Sequence, residues 1–183
     1  MTSTIIIIII ITTATTITIT TNTTTTTSTT TMSNTLIIGP KGAKVDPSYR
    51  EVCTGETGHV EVFYLEYEGG EVVYEELCRF LFQFTDPTTL NRQGGDCGTQ
   101  YANVIYCYDK KQMEIAKKVL IEAQELLDKG LITTYENKKI VTDIREATIF
   151  YPAHEEHQLY LEKNPNGYCN HRLRIKEWPS KNE

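Results

Sequence analysis

The first 40 residues contain no Asp, Glu, Lys or Arg and no aromatic ring, and glycine and proline first occur at Gly39 and Pro40. A stretch without charge, turn-formers or rings has neither the surface nor the core of an ordinary globular segment. What it holds is Met1 to Thr4, seven isoleucines from Ile5 to Ile11, and a threonine-rich tract to Thr31. The apolar run is far short of the roughly 20 residues that span a bilayer. It also lacks the basic start and small-residue cleavage site of a secretory leader. Codons for Ile and Thr differ at one base, so the tract has the look of a translated triplet repeat. Physically it is uncharged and β-branched, the composition of a segment that self-associates when exposed.

Other absences narrow the function. All 24 acids and 18 bases lie beyond residue 40, the net charge is −6, and no basic stripe offers itself to nucleic acid. The five cysteines (Cys53, Cys78, Cys97, Cys107 and Cys169) form no CxxC pair and no regular disulfide framework. They read as reduced thiols of a cytoplasmic protein. His154 and His157 are three apart, whereas the helical zinc motif needs four, so no metal is expected. Gln93-Gly94-Gly95-Asp96 lacks the Lys-Ser/Thr of a phosphate loop. None of the five thiols stands at a helix start beside a base, as a cysteine hydrolase would require.

What is there begins at Pro47. A glycine-punctuated loop, Tyr49 to His59, feeds a strand from Val60 to Tyr67 that is largely apolar on both faces. Such a strand is covered on both sides, and Glu61 sits within it. A carboxylate there costs free energy unless it is paired, hydrogen-bonded or protonated. Downstream, Leu77, Phe80, Leu81 and Phe84 predict a helix from Tyr74 that Asp86-Pro87 ends. The segment from Thr85 to Thr99 has no periodicity, which in a compact domain points to function. A strand is expected over Ala102–Tyr108, and a helix capped by Asp109 with Gln112 runs to Gly130. Strands at Leu131–Tyr135 and Ile140–Ile144, a short helix from Ala153 to Lys163 and an irregular tail complete the expectation. Glu61, Tyr49, Asp96 and Tyr101 form an acid-and-phenol set that could protonate and hold a developing oxygen charge. The alternative is a satisfied buried polar cluster.

Several blocks, in order, resemble the peptide methionine sulfoxide reductase A family. They are Tyr49 to Val62, Asp86-Pro87-Thr88, Asn91 to Gly94, Asp96 with Gly98 to Tyr101, Leu131 to Thr134, Phe150-Tyr151, His157-Gln158 and Asn164 to Cys169. The resemblance implies an α+β two-layer sandwich with a ferredoxin-like core, spanning residues 41–172 between a low-complexity segment (1–40) and a tail (173–183). It implies reduction of methionine-(S)-sulfoxide, in which a cysteine thiolate attacks sulfur while Glu61 protonates the oxygen. Tyr49 and Tyr101 would hydrogen-bond that oxygen, Asp96 would orient the site, and Cys169 would resolve the sulfenic acid to a disulfide. Thioredoxin would be the reductant, with no bound cofactor, no nucleic acid, no membrane and a monomeric chain.

The family nucleophile lies in a Gly-Cys-Phe-Trp motif, and this sequence has none. Its first cysteine, Cys53, matches no catalytic position. The motif belongs to a first strand–helix–strand unit, which the resemblance leaves missing; the Ile/Thr tract stands in its place, and the chain is expected to be poorly folded, or rescued only in part by the tract adding an edge strand. Three readings follow: a reductase whose coding start has been misread, a pseudo-enzyme that binds sulfoxide, or a non-enzymatic relic governed by self-association of the tract.

Overall fold

The computed structural model describes residues 3–7, 17–21, 24–30, 34–67, 70–155, 158, 163–167 and 172–180. Its centre is a six-stranded sheet in the order β10-β4-β5-β1-β8-β9. The strands are β1 (Ser3–Ile7), β4 (Asn34–Ile38), β5 (Val60–Tyr67), β8 (Val104–Cys107), β9 (Asp143–Glu146) and β10 (Phe150–Pro152). Two small antiparallel pairs, β2–β3 (Ile17–Thr21, Thr24–Thr30) and β6–β7 (Arg92–Gln93, Asp96–Cys97), are hydrogen-bonded separately from it. Every pairing in the large sheet is antiparallel except β8 with β9. That pair is parallel because helix α3 (Lys110–Asp128) forms the crossover between them.

Helices α2 (Gly70–Phe84) and α3 cover one face of the sheet. Phe63 and Tyr67 of β5 meet Leu77, Leu81, Val119 and Ala123 there, all buried. The opposite face is smaller: Val60 and Val62 pack with Ile38, Val104 and Tyr106 under Leu36, Ala102 and Phe150. The two-faced burial of β5 follows from its continuous apolar pattern, and β8, buried at all four positions, obeys the same rule. Glu61 shares the parity of Phe63 and lies at the beginning of the strand.

Expectation and structure part at several points. β1 is no edge strand: it runs antiparallel between β5 and β8, with Ile6 opposite both Tyr64 and Tyr106. The reason is the demand of the partners. β5 and β8 are apolar and would otherwise present unpaired ladders to each other across a gap, and an uncharged β-branched run fills that gap. β4 joins the sheet as well, where Leu36-Ile37-Ile38 suggest a short strand in the sequence. No helix precedes α1 (Tyr49–Cys53) among the described residues.

Leu131–Tyr135 forms no strand; Ile132 and Tyr135 instead drop into the core, and the Tyr135 hydroxyl donates to the Phe82 carbonyl at 2.6 Å. The following strand is shifted to Asp143–Glu146. Most of the helix expected from Ala153 to Lys163 lies outside the described residues. The tail is irregular but not loose. Arg174 N–H donates to the Gln83 carbonyl at 2.7 Å, Ile175 is buried, and the Trp178 indole N–H donates to Glu122 at 2.7 Å.

Candidate active site

Three local structures bring the site together. The first is α1, a single turn opened by Ser48 and Glu51, whose carboxylate accepts from the Ser48 N–H at 2.9 Å. Within it Tyr49 and Cys53 are four residues apart and so share a face. The second is the start of β5, which carries Glu61. The third is the segment from Thr85 to Tyr101, aperiodic in sequence and heavily cross-braced in space.

That bracing starts at Asp86, which is fully buried. Its carboxylate accepts from the N–H of Thr88 at 3.0 Å, the hydroxyl of Thr88 and the N–H of Glu136 at 3.0 Å. Its carbonyl accepts from Gln93 Nε2 at 3.1 Å and Asn103 Nδ2 at 3.2 Å. A buried charge is tolerated where donors surround it in this way. From this knot the β6–β7 hairpin projects, turning at Gly94 with φ +59°, a left-handed value that glycine accommodates without strain. The hairpin sets Asp96 opposite Gln93. A 3-10 turn, Thr99–Tyr101, then packs against β5 and delivers Tyr101. Thr99 Oγ1 donates to the Gly55 carbonyl at 2.8 Å, tying this turn to the end of α1.

The result is one electrostatic cluster. Burial, and then the neighbouring Asp96 charge, push the Glu61 carboxyl up to about 7. Near neutral pH it therefore holds its proton about half the time, the condition for a general acid. Tyr49 is pushed up to about 12, first by its hydrogen bond to the Cys53 thiol, then by burial and by the charges of Cys53, Tyr101 and Glu61. Tyr101 is raised by burial and by Glu61, Asp96 and Cys53. Two phenols that keep their protons and a carboxyl that releases one near pH 7 can together donate to a developing oxyanion. Glu61, Tyr49, Asp96 and Tyr101, singled out from sequence, are thus neighbours in the fold.

Cys169 lies outside the described residues, as do Glu156 and His157 of the histidine pair. Among the described residues no group of three or more His, Cys, Asp or Glu side chains could hold a metal ion. No described helix is long and apolar enough to cross a membrane. His154 lies beside Tyr49, with ring centroids 6.3 Å apart. An open cleft lined by Leu90, Asn103, Thr142 and Arg145 holds none of the four site residues.

Two residues in the cluster were not expected. Cys53, exposed, reaches the Tyr49 hydroxyl. Gln100, 8% exposed, reaches the Cys53 carbonyl with its amide nitrogen at 3.5 Å. The i, i+4 spacing of Tyr49 and Cys53 was a signal for the first, once a helix is known to start at Tyr49. Nothing local in sequence marks the second.

Comparisons with known proteins bear on family and fold. The family model described as "Peptide methionine sulfoxide reductase" matches residues 36–183. The "Probable peptide methionine sulfoxide reductase" of Schizosaccharomyces pombe is 44% identical over 127 residues, covering 69% of this chain and 71% of that protein. The "Mitochondrial peptide methionine sulfoxide reductase" of Rattus norvegicus is 45% identical over 124 residues, covering 68% of this chain and 51% of that one. Among solved structures, methionine sulfoxide reductase A of Corynebacterium diphtheriae superposes with a TM-score of 0.69 at 31% identity, covering 92% of this chain and 77% of that chain. Mxr1 of Saccharomyces cerevisiae in reduced form gives 0.62 at 33% identity, covering 81% and 77%. By sequence and by fold, the chain belongs to the peptide methionine sulfoxide reductase family.

Proposed function

We propose that the cluster around Glu61 binds and protonates the oxygen of a methionine-(S)-sulfoxide, free or within an oxidised protein, as the acid half of its reduction to methionine. The observation that carries this is the Glu61 carboxyl, raised to about 7 and set among two protonated phenols. In the sulfoxide the S–O bond is polar and the oxygen is a strong acceptor. Hydrogen bonds from Tyr49 and Tyr101 draw charge onto that oxygen, which makes the sulfur electrophilic. Proton transfer from Glu61 then completes the polarisation, and Asp96 keeps the acid weak enough to hold its proton until substrate arrives.

The remaining half of the reaction belongs to thiols. A thiolate attacks the sulfur, takes the oxygen as sulfenic acid and releases methionine. A second thiol, the role the resemblance gives Cys169, expels water to form a disulfide, and thioredoxin returns two electrons and two protons. The Gly-Cys-Phe-Trp nucleophile of that scheme is not in this sequence. The Tyr49 hydroxyl, bonded to the Cys53 thiol in the free chain, exchanges that partner for the sulfoxide oxygen when substrate binds. The chain as written therefore recognises sulfoxide without turning it over, as a monomer in the cytoplasm. Titrating the full chain with methionine-(S)-sulfoxide and following thioredoxin-coupled NADPH oxidation tests both parts. Binding without turnover is expected. Turnover comparable with an intact reductase would show that a nucleophile is present after all, and absence of binding would overturn the proposal.

A further inference from the structure

We infer that Thr99 is a positioning residue for this site: its hydroxyl clamps the end of α1 to the turn that carries Tyr101 and so sets the spacing of the two phenols that meet the sulfoxide oxygen. The inference rests on the sulfoxide reading above and names a residue outside the acid-and-phenol set.

Tyr49 and Tyr101 stand on separate pieces of chain. α1 is five residues long and buries one side chain, Val52. A helix so short is not stable by itself, and what holds its ends decides where it sits. Its start is held by neighbours in sequence: Glu51 accepts from the Ser48 N–H and hydroxyl and pairs with Lys44. Those bonds close the helix on itself and do not fix it against Tyr101. Its end is different. The Glu51 and Val52 carbonyls accept locally, from the N–H of Thr54 at 3.2 Å and of Gly55 at 3.0 Å. The next carbonyls take donors from the distant turn instead. Thr99 Oγ1 donates to the Gly55 carbonyl at 2.8 Å, and Gln100 Nε2 reaches the Cys53 carbonyl at 3.5 Å.

Two glycines let the pieces approach. Gly55 has φ +75°, and a Cβ there would stand 3.1 Å from Thr99 Oγ1 and 3.9 Å from Thr99 N. Gly98 has φ +143°, and its Cβ would stand 2.2 Å from Gln100 Oε1. Glycine at both positions is required by backbone conformation, and it leaves the space that the turn's side chains use. A carbonyl can only accept, so the Thr99 hydroxyl is the donor. The Thr99 bond is the shorter of the two that cross between the pieces, and it lies at the surface. A surface hydrogen bond adds little to stability; this one acts on where α1 sits. From Cys53 back to Tyr49 is about 6 Å along one helical turn, which carries a shift at its end to the Tyr49 ring.

The test is a double-mutant cycle on the full chain, read as methionine-(S)-sulfoxide affinity. Tyr49→Phe in the parent should weaken binding roughly fivefold, the loss of about one hydrogen bond. Thr99→Val keeps the shape and removes the donor. It should weaken binding by a similar factor with the urea midpoint in place, and Tyr49→Phe should then add nothing. Thr99→Ser returns a hydroxyl and should recover both the affinity and its sensitivity to Tyr49→Phe. An affinity unmoved by either single substitution, losses that multiply in the double variant, or no recovery in Thr99→Ser overturns the inference. Loss of the cooperative urea transition in Thr99→Val also overturns it, since the bond would then hold the fold rather than the spacing. If no form binds, the parent included, the sulfoxide reading fails and the clamp is decided by the 13C-labelled Tyr49 ring, assigned by its loss in Tyr49→Phe. Its signal moves in Thr99→Val and returns in Thr99→Ser if the clamp stands, and an unmoved signal overturns it.

Discussion

The segment from Thr85 to Tyr101 and the segment from Ser3 to Ile38 solve opposite problems. The first has almost no regular structure and is fixed by side chains: Asp86, Thr88, Gln93 and Asn103 each make specific bonds inside the fold. Within the second, the described strands are held by backbone ladders, with β1 paired on both edges and β4 paired to β5 and β10. A polar knot is intolerant of substitution, because each missing partner leaves a buried donor or acceptor unpaired. A ladder needs only extended backbone and apolar flanks, so a run of identical β-branched residues can supply it. A low-complexity tract can thus complete the sheet without supplying the chemistry.

The largest effect should come from removing the tract. Deleting residues 1–31 unpairs β1 from β5 and β8, and the cooperative urea transition of the full chain is expected to disappear, with aggregation in its place. Survival of a sharp transition would mean that the strand contributes little. Next is Asp86→Ala, which strips the knot of the acceptor for three donors and should cost about 3 kcal/mol in urea unfolding. Trp178→Ala should cost less, about 1–2 kcal/mol, since that ring is only partly buried on Phe82 and holds Glu122.

These contrasts also explain what was legible in the sequence. The β5 strand could be read because its apolar pattern is continuous, and α3 because Asp109, Gln112 and Gly130 mark its ends. Glu61 stood out as a carboxylate in an apolar strand, and its partners Tyr49, Asp96 and Tyr101 came from loops beside it. The interior place of β1 was not legible, since nothing in seven isoleucines states which edges they will pair. Leu131–Tyr135 has strand-like composition, but Ile132 and Tyr135 are claimed by the core between α2 and α3. Gln100 was hidden because its partners, Cys53 and Gly55, lie more than 40 positions away.

Smaller effects concern charge. Glu61 is raised from 4.5 to about 7 in the folded chain, so the folded state holds a proton that the unfolded state has lost. Its contribution to stability is fully present below pH 4.5 and falls as pH rises through 7. Glu61→Gln should flatten that part of the stability profile, measured by urea midpoints at pH 5 and pH 8. Asp96→Asn removes the like charge and should lower the Glu61 midpoint only in part, because burial is the larger cause. A return to 4.5 in that variant would show that Asp96, not burial, sets the acid.

The central claim is that Glu61 is an acid whose titration lies near neutral pH. Its side-chain carboxyl carbon, labelled with 13C and assigned by its loss in Glu61→Gln, should titrate with a midpoint near 7. Over the same range, affinity for methionine-(S)-sulfoxide should stay level at low pH and fall about tenfold per pH unit above the midpoint. A midpoint near 4.5, with affinity unchanged from pH 5 to pH 9, would contradict the account.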